Sequence, residues 1–326
     1  MIERAVMIEV RDLTKRFGDT TAVDNLSFQV GPGVVTGFLG PNGAGKSTTM
    51  RMILGLDRPT SGTALVHGRP YTQARSPMRE VGALLDAKDV NGGRSARSYL
   101  LSLAQSNGIP PRRVDEVLDL VGLQTVAKKR IKGFSLGMSQ RLGIAAAMLG
   151  DPQVLLFDEP VNGLDPEGIQ WIRQFMKSLA AEGRTVFVSS HLMSEMALTA
   201  DHLVVIGRGR LIADVSTADF IAGGSTNHVR VRSPQQGDLA ELFQARGIQA
   251  APVDGYLEVR DASCEQVGEL AAQNRITIYE LFQEKASLEE AFMELTRDSV
   301  EYHAPAPGST SPPGGFTSRT SEGAAR

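Results

Sequence analysis

The sequence has little of three features that would restrict its class: cysteine, net charge and long apolar runs. Cys264 is the only cysteine among 326 residues, so no disulfide can form within the chain, and we expect a reducing compartment. The formal net charge of −3 gives no general electrostatic attraction to nucleic acid. No run of about 18 consecutive apolar residues occurs, and the N-terminus has no apolar signal region. We therefore expect a cytoplasmic protein that reaches a membrane only through a partner.

What is present is the composition of an ordinary globular chain, 41% hydrophobic and 22% charged, with enough length for two domains. We predict an α/β domain over residues 1–222, with an antiparallel edge and a helical block at about 95–150. Residues 226–298 predict a small α+β domain of ferredoxin-like order. Residues 301–326 are rich in Pro, Gly, Ser and Thr and predict a disordered tail.

The small domain is predicted to contain strands at 228–231, 257–259 and 276–278 and helices at 239–245, 266–272 and 288–295. The last helix carries an apolar face that includes Leu288 and Phe292. This face could fill the core of the small domain, contact the larger domain or contact a second copy of the chain.

A glycine-rich turn between an apolar strand and a helix organises the larger domain. Its residues are Gly40, Pro41, Asn42, Gly43, Ala44, Gly45, Lys46, Ser47 and Thr48. They match the phosphate-binding P-loop pattern, in which glycines let the backbone approach phosphate oxygens and a helix N-terminus faces the anion. Lys46 adds a full positive charge, and the hydroxyl of Ser47 is a ligand for Mg²⁺. The turn therefore predicts a nucleoside triphosphate site.

Candidate chemical groups follow three other apolar strands. Asp158 and Glu159 end the strand at 154–157, where a P-loop protein needs a carboxylate beside Mg²⁺ and a group that orients or deprotonates water. Asp86 ends another strand, and His191 follows a third. A lone histidine after a strand is more often a surface residue, but here the other strand ends on this face all carry a candidate.

Two further stretches lie outside these strand ends. Phe17 stands beside a glycine in a polar turn, which is an unusual place for a core aromatic, and an exposed ring there could stack on a base. Residues 134–141 begin another helix and contain the sequence Ser-Leu-Gly-Met from Ser135 onward.

Together these motifs resemble those of the nucleotide-binding subunits of ATP-binding-cassette (ABC) transporters over about residues 7–220. Residues 40–48 resemble Walker A, 154–159 Walker B, 134–138 the signature motif and 162–165 the D-loop, with His191 at the switch histidine and Phe17 at the adenine-stacking aromatic. The signature is the most specific of these, because other P-loop proteins lack it.

The resemblance implies an ATPase with a mixed-sheet P-loop core, an antiparallel edge and a helical subdomain, which uses ATP and Mg²⁺. Two cassettes would face each other head to tail, with ATP between the P-loop of one copy and Ser135 and Gly137 of the other. The implied roles are phosphate binding for Lys46, Mg²⁺ ligation for Ser47 and Asp158, general base for Glu159, γ-phosphate contact for His191 and a link between the two sites for Asp165. The implied partner is a membrane permease, which would hold the chain at the cytoplasmic face; no nucleic acid is expected.

The sequence departs from the common family pattern at two places. The signature reads Ser-Leu-Gly-Met where Ser-Gly-Gly-Gln is usual, and Asp86 stands where the Q-loop glutamine is usual, so Asp86 becomes a candidate metal ligand with an open role. Together with residues 287–292, these departures resemble the bacitracin- and daunorubicin-resistance branch of bacterial exporters.

Three alternatives are weighed against an exporter subunit. A soluble ABC ATPase acting on ribosomes or nucleic acid usually has two cassettes or a long coiled coil in one chain. A small P-loop kinase or GTPase is disfavoured by the signature and by the lack of a guanine-reading motif. A catalytically poor regulatory cassette is disfavoured by Lys46, Asp158, Glu159 and His191.

Overall fold

Nine strands form the framework of the larger domain in the computed structural model, which describes residues 6–86, 90, 92–224, 228–260, 262–284, 288 and 292. They are β1 (Ile8–Phe17), β2 (Thr20–Val30), β3 (Val35–Leu39), β4 (Ser61–Val66), β5 (Val81–Leu84), β6 (Val154–Asp158), β7 (Thr185–Ser190), β8 (His202–Gly207) and β9 (Arg210–Ser216). The predicted tail at 301–326 lies outside the described residues.

Eight helices accompany these strands within the same described part of the chain. They are α1 (Lys46–Ile53), α2 (Pro77–Glu80), α3 (Ala96–Ser106), α4 (Arg112–Leu120), α5 (Leu136–Met148), α6 (Pro166–Ala181), α7 (Met193–Thr199) and α8 (Thr217–Gly224). Short 3₁₀ turns occur at Tyr71–Gln73, Gln124–Val126 and Ile131–Gly133. Across the described residues, no helix combines the length and the apolar character needed to cross a membrane.

The strands of the larger domain form two sheets. β2, β1 and β4 make an antiparallel sheet in that order, which is the predicted antiparallel edge. The second sheet has the order β5-β6-β7-β3-β8-β9, and its strands run parallel except for β9. Because β6, β7 and β3 are neighbours, the residues that follow these three strands meet at one edge of the sheet.

The continuous apolar runs of the central strands are explained by burial on both faces. In β6, Leu155 and Phe157 pack among the helices, while Val154 and Leu156 pack toward the antiparallel sheet. Successive side chains of a strand point to opposite faces, so a strand covered on both sides needs apolar residues at every position. The helical block predicted at about 95–150 is present as α3, α4 and α5.

The small domain contains β10 (His228–Arg232), α9 (Gln236–Ala245), β11 (Ala250–Val253), β12 (Tyr256–Arg260), α10 (Cys264–Gln273) and β13 (Glu280–Glu284). Its antiparallel sheet has the order β11-β12-β10-β13, and the chain order is the ferredoxin-like β-α-β-β-α-β.

Two details of the predicted small domain are corrected. The predicted strand at 276–278 is wrong: Ile276 and Ile278 pack on the small core without forming a strand, and β13 begins at Glu280. Strand β11 was not predicted, because Ala-Ala-Pro-Val lacks an alternating pattern. Pro252 is tolerated there because β11 lies at the edge of the sheet.

Leu288 and Phe292 belong to the core of the larger domain. Both are buried, at 2% and 6% exposure, and they cluster with Phe220 of α8 and the helix-side core, whereas the core of the small domain is formed by other residues. The chain after β13 therefore returns to the larger domain. A truncation that removes these two residues would open that core.

We expect Phe292→Ala to lower the free energy of unfolding of the larger domain by about 3 kcal/mol, because it leaves a cavity in a packed core. The matched control is Phe282→Ala, since Phe282 is 42% exposed and should change stability by less than about 1 kcal/mol. Urea unfolding followed by the fluorescence of Trp171 reports on the larger domain, because this is the only tryptophan and lies in α6. Equally small effects of the two substitutions would contradict the placement of Phe292.

Candidate active site

The P-loop connects β3 to α1. Two of its glycines allow close packing, and a third leaves the loop open. A Cβ at Gly40 would lie 2.6 Å from the carbonyl oxygen of Ile206, and one at Gly45 would lie 2.5 Å from that of Ala22, so both glycines allow close packing of the loop. Gly43 has φ of +83°, and apart from its two chain neighbours no described residue has an atom within 4 Å of the position of an added Cβ. The loop is therefore held by its ends and open at its middle, as a phosphate cradle requires.

The open side of the loop carries positive charge. No side chain in the described part of the chain caps the N-terminus of α1, so the first N–H groups of this helix face the loop with the positive end of the helix dipole. Lys46 is only 6% exposed, and its Nζ donates to the carbonyl oxygens of Gly40 at 2.7 Å and Pro41 at 3.3 Å. Burial lowers the pKa of Lys46, and the carboxylates of Glu159 and Asp158 oppose this effect.

The carboxylates of Asp158 and Glu159 are held at the end of β6 by a residue of the neighbouring strand. Asp158 lies opposite Ser189 in the register of β6 and β7. The hydroxyl of Ser189 donates to Oδ1 of Asp158 and accepts from the backbone N–H of Glu159 at 3.0 Å. Ser189 is a functional residue that sequence patterns did not indicate. The sequence feature that could have indicated this residue is its position as a polar residue near the end of a largely apolar strand.

The carboxylate of Glu159 lies between two nitrogen groups. Its Oε1 is 3.8 Å from Nζ of Lys46, and its Oε2 is 2.7 Å from Nδ1 of His191. Glu159 is partly exposed, whereas Asp158 is buried. A partly exposed carboxylate beside the phosphate cradle can accept a proton from water, and the histidine can orient it.

Ser47, Asp86 and Asp158 line one cavity of about 600 Å³ next to the P-loop helix. The structure thus brings Asp86 to the same cavity as the two predicted Mg²⁺ ligands. Within the described residues, no group of three or more His, Cys, Asp or Glu side chains is close enough to hold a metal alone. The oxygens of Ser47 and Asp158 are of the type that Mg²⁺ prefers, and Mg²⁺ is commonly bound by one or two protein oxygens together with substrate phosphates and water.

The signature segment and the D-loop pack against each other. A Cβ at Gly163 would lie 1.9 Å from Leu136, and one at Gly137 would lie 3.4 Å from Leu164, so each leucine covers the glycine of the other segment. Gln140 Nε2 also donates to the carbonyl oxygen of Asn162 at 3.3 Å. Leu136, which replaces the usual glycine of the signature, is thereby explained as a packing contact.

Ser135 and Asp165 are the N-caps of α5 and α6, the helices that follow the signature segment and the D-loop. The hydroxyl of Ser135 accepts from the N–H of Met138 at 3.2 Å, and Oδ1 of Asp165 accepts from the N–H of Gly168 at 2.9 Å. Neither residue lines the cavity beside Ser47. Phe17 is the last residue of β1 and is 53% exposed, with Nζ of Lys15 4.8 Å from the centre of its ring.

Comparison with known proteins identifies the family. A model described as ABC transporter matches residues 23–162, and a domain of unknown function (DUF8746) matches residues 227–289. The bacitracin transport ATP-binding protein BcrA of Bacillus licheniformis is 37% identical over 299 residues, which cover 89% of this chain and 97% of the relative. The chain belongs to the ABC transporter ATP-binding proteins.

Other ABC proteins match a shorter part of the chain. The lantibiotic transport ATP-binding protein SrtF of Streptococcus pyogenes is 36% identical over 208 residues, covering 64% of this chain and 90% of the relative. The dimeric structure of MJ0796, a bacterial ABC transporter cassette, has a TM-score of 0.59 at 23% identity, covering 65% of this chain and 99% of that one. The predictions of the family, of the fold class and of an ATP-hydrolysing subunit that powers a membrane exporter are confirmed.

Within this ABC subunit the structure separates the predicted site residues into groups. The first lies around the P-loop and the ends of the parallel strands: Lys46, Ser47, Asp86, Asp158, Glu159 and His191. The second lies at the starts of α5 and α6: Ser135, Gly137 and Asp165. Phe17 is in neither group, and its stacking role stays a prediction.

Proposed function

We propose that this chain hydrolyses ATP to drive an exporter of antibiotics or lipid-like compounds. The similarity to a bacitracin transport protein supports the substrate class, because it spans 299 residues and so extends past the cassette into the small domain. The match to the lantibiotic transport protein spans only 208 residues. Similarity that includes the small domain favours the bacitracin type of exporter.

The observation that carries the proposed chemistry is the position of Glu159 between Lys46 and His191 beside an open P-loop. Lys46 and the loop amides hold the phosphates, and His191 contacts the γ-phosphate. Glu159 accepts a proton from the water whose oxygen attacks the γ-phosphorus, and ADP leaves as the bond to the γ-phosphorus breaks.

Ser47 and Asp158 are the proposed protein ligands of Mg²⁺, which neutralises charge on the β- and γ-phosphate oxygens when bound. Asp86 faces the same cavity, and we propose it as a further oxygen ligand in place of the family's glutamine. A carboxylate brings one negative charge that an amide does not. Asp86 should therefore affect the rate of ATP hydrolysis differently from a glutamine at the same position.

A second copy of the chain completes the proposed site. Ser135 and Gly137 do not line the cavity beside Ser47 of their own chain. In the head-to-tail dimer that the family resemblance implies, they would contact the ATP held by the P-loop of the other copy. Asp165 lies at the start of α6, in the segment packed on the signature, and would link the two sites. The exposed ring of Phe17 would stack on the adenine.

The proposed membrane partner is a permease that holds the chain at the cytoplasmic face. The cavity beside Ser47 has an apolar wall formed by Leu54, Leu56, Tyr71 and Leu85, and Leu56 is 58% exposed. A permease segment seated there would lie next to the predicted Mg²⁺ ligands. Residues 87–94, which follow Asp86, form a polar stretch with two glycines, and we propose that this loop contributes to docking. Of its residues, Ala87, Lys88, Asp89 and Asn91 lie outside the described part of the chain.

We expect ATP turnover to rise several-fold when the cognate permease is reconstituted with the chain in lipid. Arg94→Glu should weaken this stimulation more than the basal turnover, because Arg94 is an exposed cation at the end of the loop proposed to contribute to docking. Arg112→Glu, the same charge change at an exposed position of α4, is the matched control and should keep the stimulation.

Phosphate release measured with and without the permease decides between the exporter and its rival. If no membrane protein copurifies, and ribosomes or nucleic acid stimulate hydrolysis instead, the chain acts as an ABC motor outside transport. Equal loss of stimulation in both arginine variants would argue against docking at Arg94.

A further inference from the structure

The last two residues of β7 are serines at the end of a fully buried strand. Ser189 and Ser190 both have 0% exposure. A buried hydroxyl costs free energy unless it is hydrogen-bonded, so its partners define what the residue does. The two serines have different partners.

Ser189 joins the two carboxylate residues of β6. Its hydroxyl has one proton, which it donates to Oδ1 of Asp158, and its oxygen accepts from the N–H of Glu159 at 3.0 Å. Its orientation is therefore fixed by donation on one side and acceptance on the other. Because these two partners are consecutive residues, one side chain contacts both the carboxylate of Asp158 and the backbone of Glu159.

The backbone of Glu159 needs such support. Its φ is +49°, a left-handed conformation that is uncommon for residues other than glycine. Strained backbone of this kind persists only where surrounding contacts hold it. The bond from Glu159 N–H to Ser189 is one such contact, at the residue whose side chain reaches toward Lys46 and His191.

We propose that Ser189 is a positioning residue that orients Asp158 toward Mg²⁺ and fixes the backbone from which Glu159 reaches water. The inference rests on the proposed function of these two carboxylates and extends it to a residue of the neighbouring strand. Ser189 is fully buried and does not line the cavity that contains Ser47 and Asp158, so it would contact neither Mg²⁺ nor ATP directly. Its loss acts on the reaction only through Asp158 and Glu159.

The test is the gain in ATP affinity that Mg²⁺ provides, measured by calorimetric titration of the full chain with ATP in Mg²⁺ and in EDTA. Residues that orient metal ligands typically change metal affinity by about 10- to 100-fold. We expect Ser189→Ala to need about 10-fold more Mg²⁺ for half of the affinity gain. Its affinity for ATP in EDTA should equal that of the parent, because the P-loop is unchanged.

Two further variants keep the test decisive if the alanine variant folds poorly. Ser189→Cys has nearly the same size but is a weak hydrogen-bonding group, so it should show the same shift in Mg²⁺ requirement. Ser189→Thr retains the hydroxyl and should restore most of the parent behaviour. An unshifted Mg²⁺ requirement in the folded cysteine variant would overturn the proposal.

Thr185→Val is the matched control on the same strand. Thr185 is also 0% exposed, and its hydroxyl has no hydrogen-bond partner among the described residues. Replacing it with a residue of the same shape should leave the Mg²⁺ requirement unchanged. A shift as large as that of Ser189→Ala would show a general effect of altering β7 and would overturn the specific role of Ser189.

The outcomes also separate this inference from the proposed function. If the parent chain gains no ATP affinity from Mg²⁺, the proposed roles of Ser47 and Asp158 fail together with the inference. If the parent gains affinity and the Ser189 variants behave as it does, the inference alone fails.

Discussion

Lys46→Ala should weaken ATP binding by about 100-fold, the loss expected when two charge-assisted hydrogen bonds of roughly 1.5 kcal/mol each are removed. The buried Nζ now donates to carbonyl oxygens of the loop itself, within reach of Glu159. Phosphate oxygens would take these donors when ATP binds. Isothermal titration with ATP measures the loss directly.

Arg51→Ala provides the control for this experiment. Arg51 lies in the last turn of the same helix, and its Nε donates to Asp57 at 2.7 Å. Removing this cation should leave ATP affinity within about twofold, since an exposed ion pair contributes little. Unchanged affinity in Lys46→Ala, with Trp171 fluorescence showing a folded larger domain, would remove the P-loop from the proposed site.

The sequence predicted those parts of the site that depend on neighbouring residues. The P-loop could be identified because the strand, the glycines, Lys46 and the helix are consecutive, and Asp158 and Glu159 because they end an apolar run. Their meeting with His191 follows from the adjacency of β6 and β7. The family resemblance implied that both residues act at the γ-phosphate, but it did not give the order of the strands.

The parts that could not be predicted depend on contacts between distant residues. Ser189 could not be assigned a role, because nothing local shows that it lies opposite Asp158. The contact of Leu136 with Gly163 joins residues far apart in sequence, so no local pattern explains why the signature departs from its usual form. Phe292 was predicted on an apolar helix face, but the core that receives it is set by the path of the chain after β13.

Glu159→Gln should keep ATP binding, nearly stop hydrolysis and accumulate a dimer that forms only with ATP. Glutamine has the shape of glutamate and can still bond to His191, but it cannot accept the proton of the attacking water. General-base catalysis contributes about 10²- to 10⁴-fold, so turnover should fall by that factor. If hydrolysis is what releases the bridging γ-phosphate, ATP would remain bound between two copies.

Asp86→Asn is the comparison that assigns the base. Asp86 is exposed and lines the cavity with Ser47 and Asp158, whereas Glu159 lies directly between Lys46 and His191. The asparagine variant should therefore slow hydrolysis less and form no stable ATP-dependent dimer. Phosphate release and gel filtration with ATP measure both variants under the same conditions. If Asp86→Asn stops turnover while Glu159→Gln does not, the proton acceptor is Asp86, and the contact of Glu159 with His191 serves another purpose.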